Sequence, residues 1–278
     1  MGKILAIILV SLFCEISIMA QILQPKEAAV IEIVYNKAVS IDTIGGNSFR
    51  ETPMILRAGQ TSSMFYPEKR MYIDSLNYYH NNAGLDLIAD AMMRGEPTSN
   101  VTGWEDEFLF RNVRNNETMV TRHFATYHLG YIESTELPNW TIDTSRTKRI
   151  LGYDCIYAAC TYRGREWEVW FAPSIPLKEG PWKLAGLPGM VLWASDKGGQ
   201  YVYTAESIKT RSIPDVGIYI YHRRNLDMMK NRQNYLRAIY NLVLKRKFLN
   251  EVSVYTDFKT SIKDEVPLYD LEETDFIH

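Results

Sequence analysis

The sequence predicts a mainly β protein built on one strongly curved antiparallel sheet, with a long helix late in the chain packed against it. Three observations lead there. Short runs of alternating apolar residues recur along most of the chain, Gly- and Asn-containing turn signals join neighbouring runs into hairpins, and only two stretches carry an apolar stripe at helical spacing. The number of turns implies about nine to eleven strands. Hydrophobic residues make up 46% of the 278 residues and charged residues 23%, which is too apolar for a disordered chain. Lys and Arg number 31 against 33 Asp and Glu, a formal net charge of -2, so a nucleic-acid binder driven by bulk charge is excluded.

The chain opens with Lys3, an apolar run over residues 4–13, and Ile18-Met19-Ala20. This is the three-part pattern of a secretory signal peptide, residues 1–20, with Ala20 the last residue removed. The run is far shorter than the roughly 20 residues that a membrane span needs. Phe13 before Cys14 does not fit a lipid-modified cysteine. Residues 21–278 then read as a single β-rich domain, exported to the periplasm, the outer envelope or beyond, with no membrane span once the signal is gone.

Ile31, Ile33 and Tyr35 alternate with polar or smaller residues, and Met54-Ile55-Leu56 follows Pro53; both read as strands. Residues 107–110 and 119–121, on either side of Asn115-Asn116, read as a hairpin continued by residues 126–133. The clearest hairpin joins residues 150–162 to 165–172 around Gly164. Another joins residues 189–195 to 200–209 through Asp196-Lys197-Gly198-Gly199. One helix is predicted over residues 84–94, stopped by Gly95-Glu96-Pro97, and a second over 225–248 with Leu226, Met229, Leu236, Ile239, Tyr240 and Val243 in one stripe. Eight Lys and Arg cluster between residues 223 and 247, read as the solvated face of an amphipathic helix. A last strand is expected over residues 251–258.

Catalytic and metal-binding signals are sparse. The five histidines form no chelating pair at helical spacing, and no nucleophile elbow or phosphate-binding Gly-rich loop appears. No metal, cofactor or catalytic residue is therefore expected. Cys155 and Cys160, five apart on one strand, would lie about 16 Å apart, so separate thiols are expected even in an oxidising compartment. The acids Glu105-Asp106-Glu107 could supply a carboxylate pair, although loop acids are mostly solvated. Three Asn-x-Ser/Thr sequons occur at Asn100, Asn116 and Asn139, and Asp42-Thr43-Ile44 and Asp74-Ser75-Leu76 resemble a bacterial O-glycosylation signal.

Residues 180–191 read Gly-Pro-Trp-Lys-Leu-Ala-Gly-Leu-Pro-Gly-Met-Val. Gly180, Pro181, Gly186, Pro188 and Gly189 make this a turn motif, and Pro188-Gly189 suits a type II turn that launches a strand. The run resembles the signature of the GLPGLI family of secreted bacterial proteins, departing from it at Met190 and Val191. Trp140, the Ile150-Leu151-Gly152-Tyr153-Asp154-Cys155 strand, the Arg163-Gly164-Arg165 turn and Trp170-Phe171-Ala172-Pro173 follow the family's order, and Ser62-Ser63-Met64-Phe65-Tyr66 resembles its early region. The likeness runs over residues 30–210. It implies export and a function not yet known, and it carries over no catalytic residue. The Gly-Tyr-x-Cys hairpin is also similar, more loosely, to that of the half-barrel periplasmic lipoprotein carriers.

The candidate binding surface is then aromatic. Trp167, Phe171 and Val169 share one strand face, Trp170 takes the other, and Trp182, Leu187, Met190 and Trp193 lie in or beside the turn motif. The expected function is non-enzymatic binding of an apolar or envelope-derived ligand, or of a partner protein. One alternative is an envelope structural or accessory protein acting through protein contacts. The other is a hydrolase in which Cys155, Asp154 or the 105–107 acids meet a histidine in a cleft. The state of the concave face separates them: open and apolar, filled by side chains, or lined by convergent polar groups.

Overall fold

The computed structural model describes residues 27–43, 46–103, 107–124, 127–217, 226–253 and 272–276; residues 1–20, read above as a signal peptide, lie outside them. Among the described residues twelve strands form one open sheet: β1 (Ile31–Thr43), β2 (Gly46–Ala58), β3 (Ser62–Pro67), β4 (Glu107–Asn112), β5 (Glu117–Phe124), β6 (Tyr127–Ser134), β7 (Thr141–Ile150), β8 (Tyr153–Tyr162), β9 (Arg165–Ala172), β10 (Met190–Asp196), β11 (Tyr201–Lys209) and β12 (Leu226–Met228). Their order is β12-β6-β5-β4-β3-β2-β1-β11-β10-β9-β8-β7, with every neighbouring pair antiparallel except β12 on β6. Helices α1 (Glu68–Tyr79), α2 (Ala83–Met93) and α3 (Ser99–Thr102) separate β3 from β4, and α4 (Arg232–Ser253) follows β12. Among the described residues no helix is long and apolar enough to cross a membrane.

The sheet is strongly curved. Eight strand spacings separate β6 from β9, about 40 Å if the sheet were flat. Yet Arg163, in the β8–β9 turn, reaches Glu133 of β6 at 3.1 Å, and the Tyr162 hydroxyl donates to the Glu136 carbonyl at 2.8 Å. The inner face so enclosed carries Ile33, Tyr35, Leu56, Phe65, Val120, Tyr131, Trp167 and Tyr203. It is filled by Trp182, Leu184 and Leu187 from the β9–β10 connection and by Tyr235, Leu236 and Ile239 of α4. On the outer face Ile55, Met64, Tyr66, Phe108 and Phe110 pack beneath Met71 of α1.

Most predicted hairpins are present because their turn chemistry is strong. Leu151-Gly152 and Arg163-Gly164 both carry two consecutive positive φ values, 50° and 86°, then 53° and 84°, the backbone a two-residue hairpin loop requires. In the β10–β11 turn the Asp196 carboxylate accepts from the Tyr201 amide at 2.8 Å. The strand count exceeds the expected nine to eleven because β3, β7 and β12 carry little alternation. Strand β7, Thr-Ile-Asp-Thr-Ser-Arg-Thr-Lys-Arg-Ile, is almost wholly exposed at the sheet edge, where charged residues discourage pairing with another chain.

Two expectations need correction. The second helix does not begin at residue 225: Leu226–Met228 pairs in parallel with β6, and Asn231 accepts from the Asn234 amide at 2.9 Å, capping a helix that starts at Arg232. That helix runs through residues 251–253, where a strand was expected; residues 254–258 lie outside the described residues. The other correction concerns Pro188-Gly189. Gly189 is not in the left-handed region, and its amide instead donates to the Leu187 carbonyl at 2.8 Å, a three-residue turn about Pro188. Glycine is required there by close approach, since a Cβ would lie 2.4 Å from the Ala172 carbonyl oxygen. The positive φ values of the motif belong to Trp182, at 52°, and Gly186, at 97°.

Candidate functional site

The predicted aromatic surface divides between the two sheet faces. Trp167, Phe171, Trp182, Leu187 and Met190 are fully buried on the inner face and form core instead of the expected apolar groove. Trp167 and Trp182 pack with their rings tilted by 36° at a centroid distance of 5.5 Å. Trp170 and Trp193, directly paired across β9 and β10, are half-buried on the outer face. There Arg146 lies 3.4 Å over the Tyr157 ring, and Lys148 lies near both indoles. The bulge in β7 between Asp143 and Thr147 brings these cations across.

The inner face also carries a polar network that the sequence did not reveal. Lys183, fully buried in the β9–β10 connection, donates to the Tyr131 hydroxyl at 2.6 Å, Glu273 at 2.7 Å and Glu133 at 2.8 Å. Burial opposes its charge, but Glu273 and Glu133 outweigh that and hold the ammonium above the usual lysine range. Burial likewise opposes ionisation of Glu273, yet Lys183 and Arg232 keep it below the usual carboxylate range. Arg232 was expected on a solvated helix face; it turns inward to Glu273 and Asp275. Arg111 pairs with Glu179 at 2.6 Å. Glu107 meets Arg122 at 3.0 Å and the Tyr235 hydroxyl at 3.2 Å. The concave face is thus filled and crossed by convergent charges. The one available sequence signal was on β4, where the charged Glu107 and Arg111 stand two residues to either side of the inward Leu109.

The groups named for a hydrolase do not assemble one. Cys155 and Cys160 are free thiols, as expected from their spacing. Burial pushes the Cys155 thiol up to about 11 and that of Cys160 up to about 12. Asp154 is exposed and only 4.0 Å from Arg149, and Glu105 and Asp106 lie outside the described residues. Both thiols should therefore stay unmodified by a disulfide reagent at pH 8 in the native protein and react fully once it is unfolded. Rapid native labelling would contradict the burial of Cys155 and the partial burial of Cys160. The sequon residues Asn100, Asn116 and Asn139 are exposed, whereas Asp74 is buried in α1 with Tyr66 and Arg70 as partners.

A cavity of about 980 Å³ opens on the outer face, between β1–β2 and α1. Its floor is the cross-strand pair Glu32–Arg57 at 2.6 Å, with Lys209 on the same carboxylate at 3.1 Å, beside Val34 and Ile55. Burial pushes Glu32 up, but Arg57 and Lys209 prevail and keep it ionised. One wall is a single stripe of α1: Glu68, Tyr72, Ser75 and Tyr79 recur at i, i+4, i+7 and i+11. Tyr72 and Tyr79 are 57% and 52% exposed, high for large aromatic side chains. Opposite lie Ser212, in the left-handed region at φ 54°, Pro214 and Asp215. Exposed rings above an ionised floor, with hydroxyls between, suit a ligand that has both flat apolar faces and many hydroxyl groups. The sequence reading missed this site because α1 itself was not recognised.

Residues 98–233 match the model of the N-terminal domain of the N-glycanase peptide family. The fold is similar to a solved structure of PNGF-II, with 20% identity and a TM-score of 0.51 over 77% of this chain and 34% of that one; a second crystal form of PNGF-II matches equally well over 33% of its chain. This chain therefore spans about a third of the length of PNGF-II, and the likeness shows the fold. A LolA superfamily protein from Nitrosomonas europaea aligns at 11% identity and a TM-score of 0.26, over 70% of this chain and 90% of that one. No curated protein matches the chain. The family match corrects the expectation of a non-enzymatic protein, since the matching stretch corresponds to a domain of an N-glycanase.

Proposed function

We propose that the chain is an exported β module of an N-glycan-processing system, holding a carbohydrate chain in the outer cavity between α1 and β1–β2. The observation that carries this reading is the lining of that cavity: two exposed tyrosines on one helical stripe over the ionised Glu32–Arg57–Lys209 floor. Sugar rings offer apolar faces that lie on aromatic side chains and hydroxyls that bond to charged ones. The family match over residues 98–233 supports a glycan as the ligand class. The signal pattern of residues 1–20 supports action in the periplasm or outer envelope, and the resemblance of residues 180–191 to the GLPGLI proteins belongs to the same proposal.

The test is calorimetric titration of the mature chain with an oligosaccharide bearing a chitobiose core. Saturable binding is expected, weakened at least tenfold in Tyr72→Ala and in Tyr79→Ala with thermal stability unchanged. No heat from the parent chain, or equal affinity in both variants, would remove the cavity as the glycan site.

A further inference from the structure

Residues 272–276, Glu-Glu-Thr-Asp-Phe, lie against the inner face without joining the sheet. Glu272 and Glu273 are buried, and each meets a different set of cations. The Glu272 carboxylate pairs with Lys37 at 3.1 Å and accepts from Tyr203, and its carbonyl accepts from Arg165 at 3.1 Å. Glu273 pairs with Lys183 and Arg232, and Asp275 with Arg232. Phe276 is buried and packs edge-on to Tyr240 of α4, 6.2 Å between centroids. Main-chain contact is slight: the Thr274 amide donates to the Arg163 carbonyl at 3.1 Å and its hydroxyl to the Gly164 carbonyl at 3.1 Å.

Several of the receiving cations are held in place independently of this segment. Lys183 has Tyr131 and Glu133, Arg163 has Glu133, and Arg165 has Asp196 at 2.9 Å and Gln200 at 2.9 Å. Lys37, Arg163, Arg165, Lys183 and Arg232 supply five positive charges, and among the described residues the carboxylates that pair with Arg163, Arg165 and Lys183 from outside the segment are Glu133, Glu136 and Asp196. The balance is closed by Glu272, Glu273 and Asp275. A pre-positioned, buried excess of positive charge favours a carboxylate-bearing occupant, because leaving such charges without counter-charge in a low-dielectric interior is strongly unfavourable.

We propose that the inner face is a docking site for an acidic peptide segment that carries an aromatic residue just after its acids, that residues 272–276 are its resident occupant, and that a segment of the same chemistry supplied in trans displaces them. The occupant is held by ion pairs and one aromatic contact instead of a hydrogen-bonded ladder, so its departure leaves the twelve-stranded pairing intact.

The test uses a fluorescent synthetic peptide, Leu-Glu-Glu-Thr-Asp-Phe-Ile, and fluorescence anisotropy. The full chain is expected to bind it weakly and the Glu272→Gln/Glu273→Gln variant at least tenfold more tightly, with affinity falling as salt rises. Adding Arg232→Gln to that variant, or using a peptide with Gln at both Glu positions, is expected to abolish binding. A folded double variant that ignores the peptide would overturn the proposal. If the double variant does not fold, hydrogen exchange in the parent chain decides: amides of Thr274, Asp275 and Phe276 that exchange well before the β1–β2 ladder uphold a displaceable segment, and exchange only with global unfolding refutes it.

Discussion

Replacing Lys183 by Met is expected to lower the unfolding free energy at pH 7 by about 3 to 5 kcal/mol, the usual cost of removing one partner from a buried ion pair. The ammonium is the common donor to Glu133, Glu273 and Tyr131, all reached from a connection that packs far from β6 along the chain. Met fills similar space but leaves two carboxylates with less positive charge nearby. The pH dependence follows from the shifts. Glu273 is depressed in the folded state, so its contribution is complete above its unfolded value, about 4.3, and is lost as pH falls through the lower folded value. Lys183 is raised in the folded state, so its contribution is complete below about 10.4 and is lost as pH rises through the higher folded value. The gap between parent and variant should be widest between those limits and narrow below pH 4. Urea unfolding at pH 7 and pH 3.5 measures it, and a difference under about 1 kcal/mol at pH 7 would show that the network adds little.

That network is also where sequence reading reached its limit. Hairpins β8–β9 and β10–β11 were legible because their signals are local: alternating apolar residues, a Gly-containing turn, a few residues of separation. Strand β7 was not, because an edge strand exposed along its length has no apolar face to alternate. Helix α1 escaped because Glu68, Tyr72, Ser75 and Tyr79 give it a polar and aromatic stripe over the cavity where an apolar one would mark a helix. The inner charges were invisible for a different reason. Glu107, Glu133, Arg163, Lys183, Arg232 and Glu273 are scattered over more than half the chain, and only the curl of the sheet brings them together. Each alone reads as a surface charge.

Substituting Trp167 by Ala should produce the other large effect, a loss of about 3 to 5 kcal/mol, because a fully buried indole is removed from a packed site. Trp167 contacts Trp182 at 5.5 Å and Tyr203 at 6.5 Å between centroids, so its removal opens a cavity shared by β9, β11 and the Gly180–Gly189 connection. Those neighbours are themselves constrained. A Cβ on Gly180 would lie 2.1 Å from the Leu184 carbonyl oxygen, which leaves the connection little freedom to collapse into the void. The matched substitution three residues along, Trp170→Ala, should cost only about 1 kcal/mol, since that ring is half-buried and mainly covered by Tyr157, Arg146 and Lys148. Thermal and urea unfolding of the pair therefore reads out the alternation of β9 directly. Equal losses at the two positions would mean that the outer face is as tightly packed as the inner, and that Trp170 and Trp193 are core residues of a surface this structure leaves partly open.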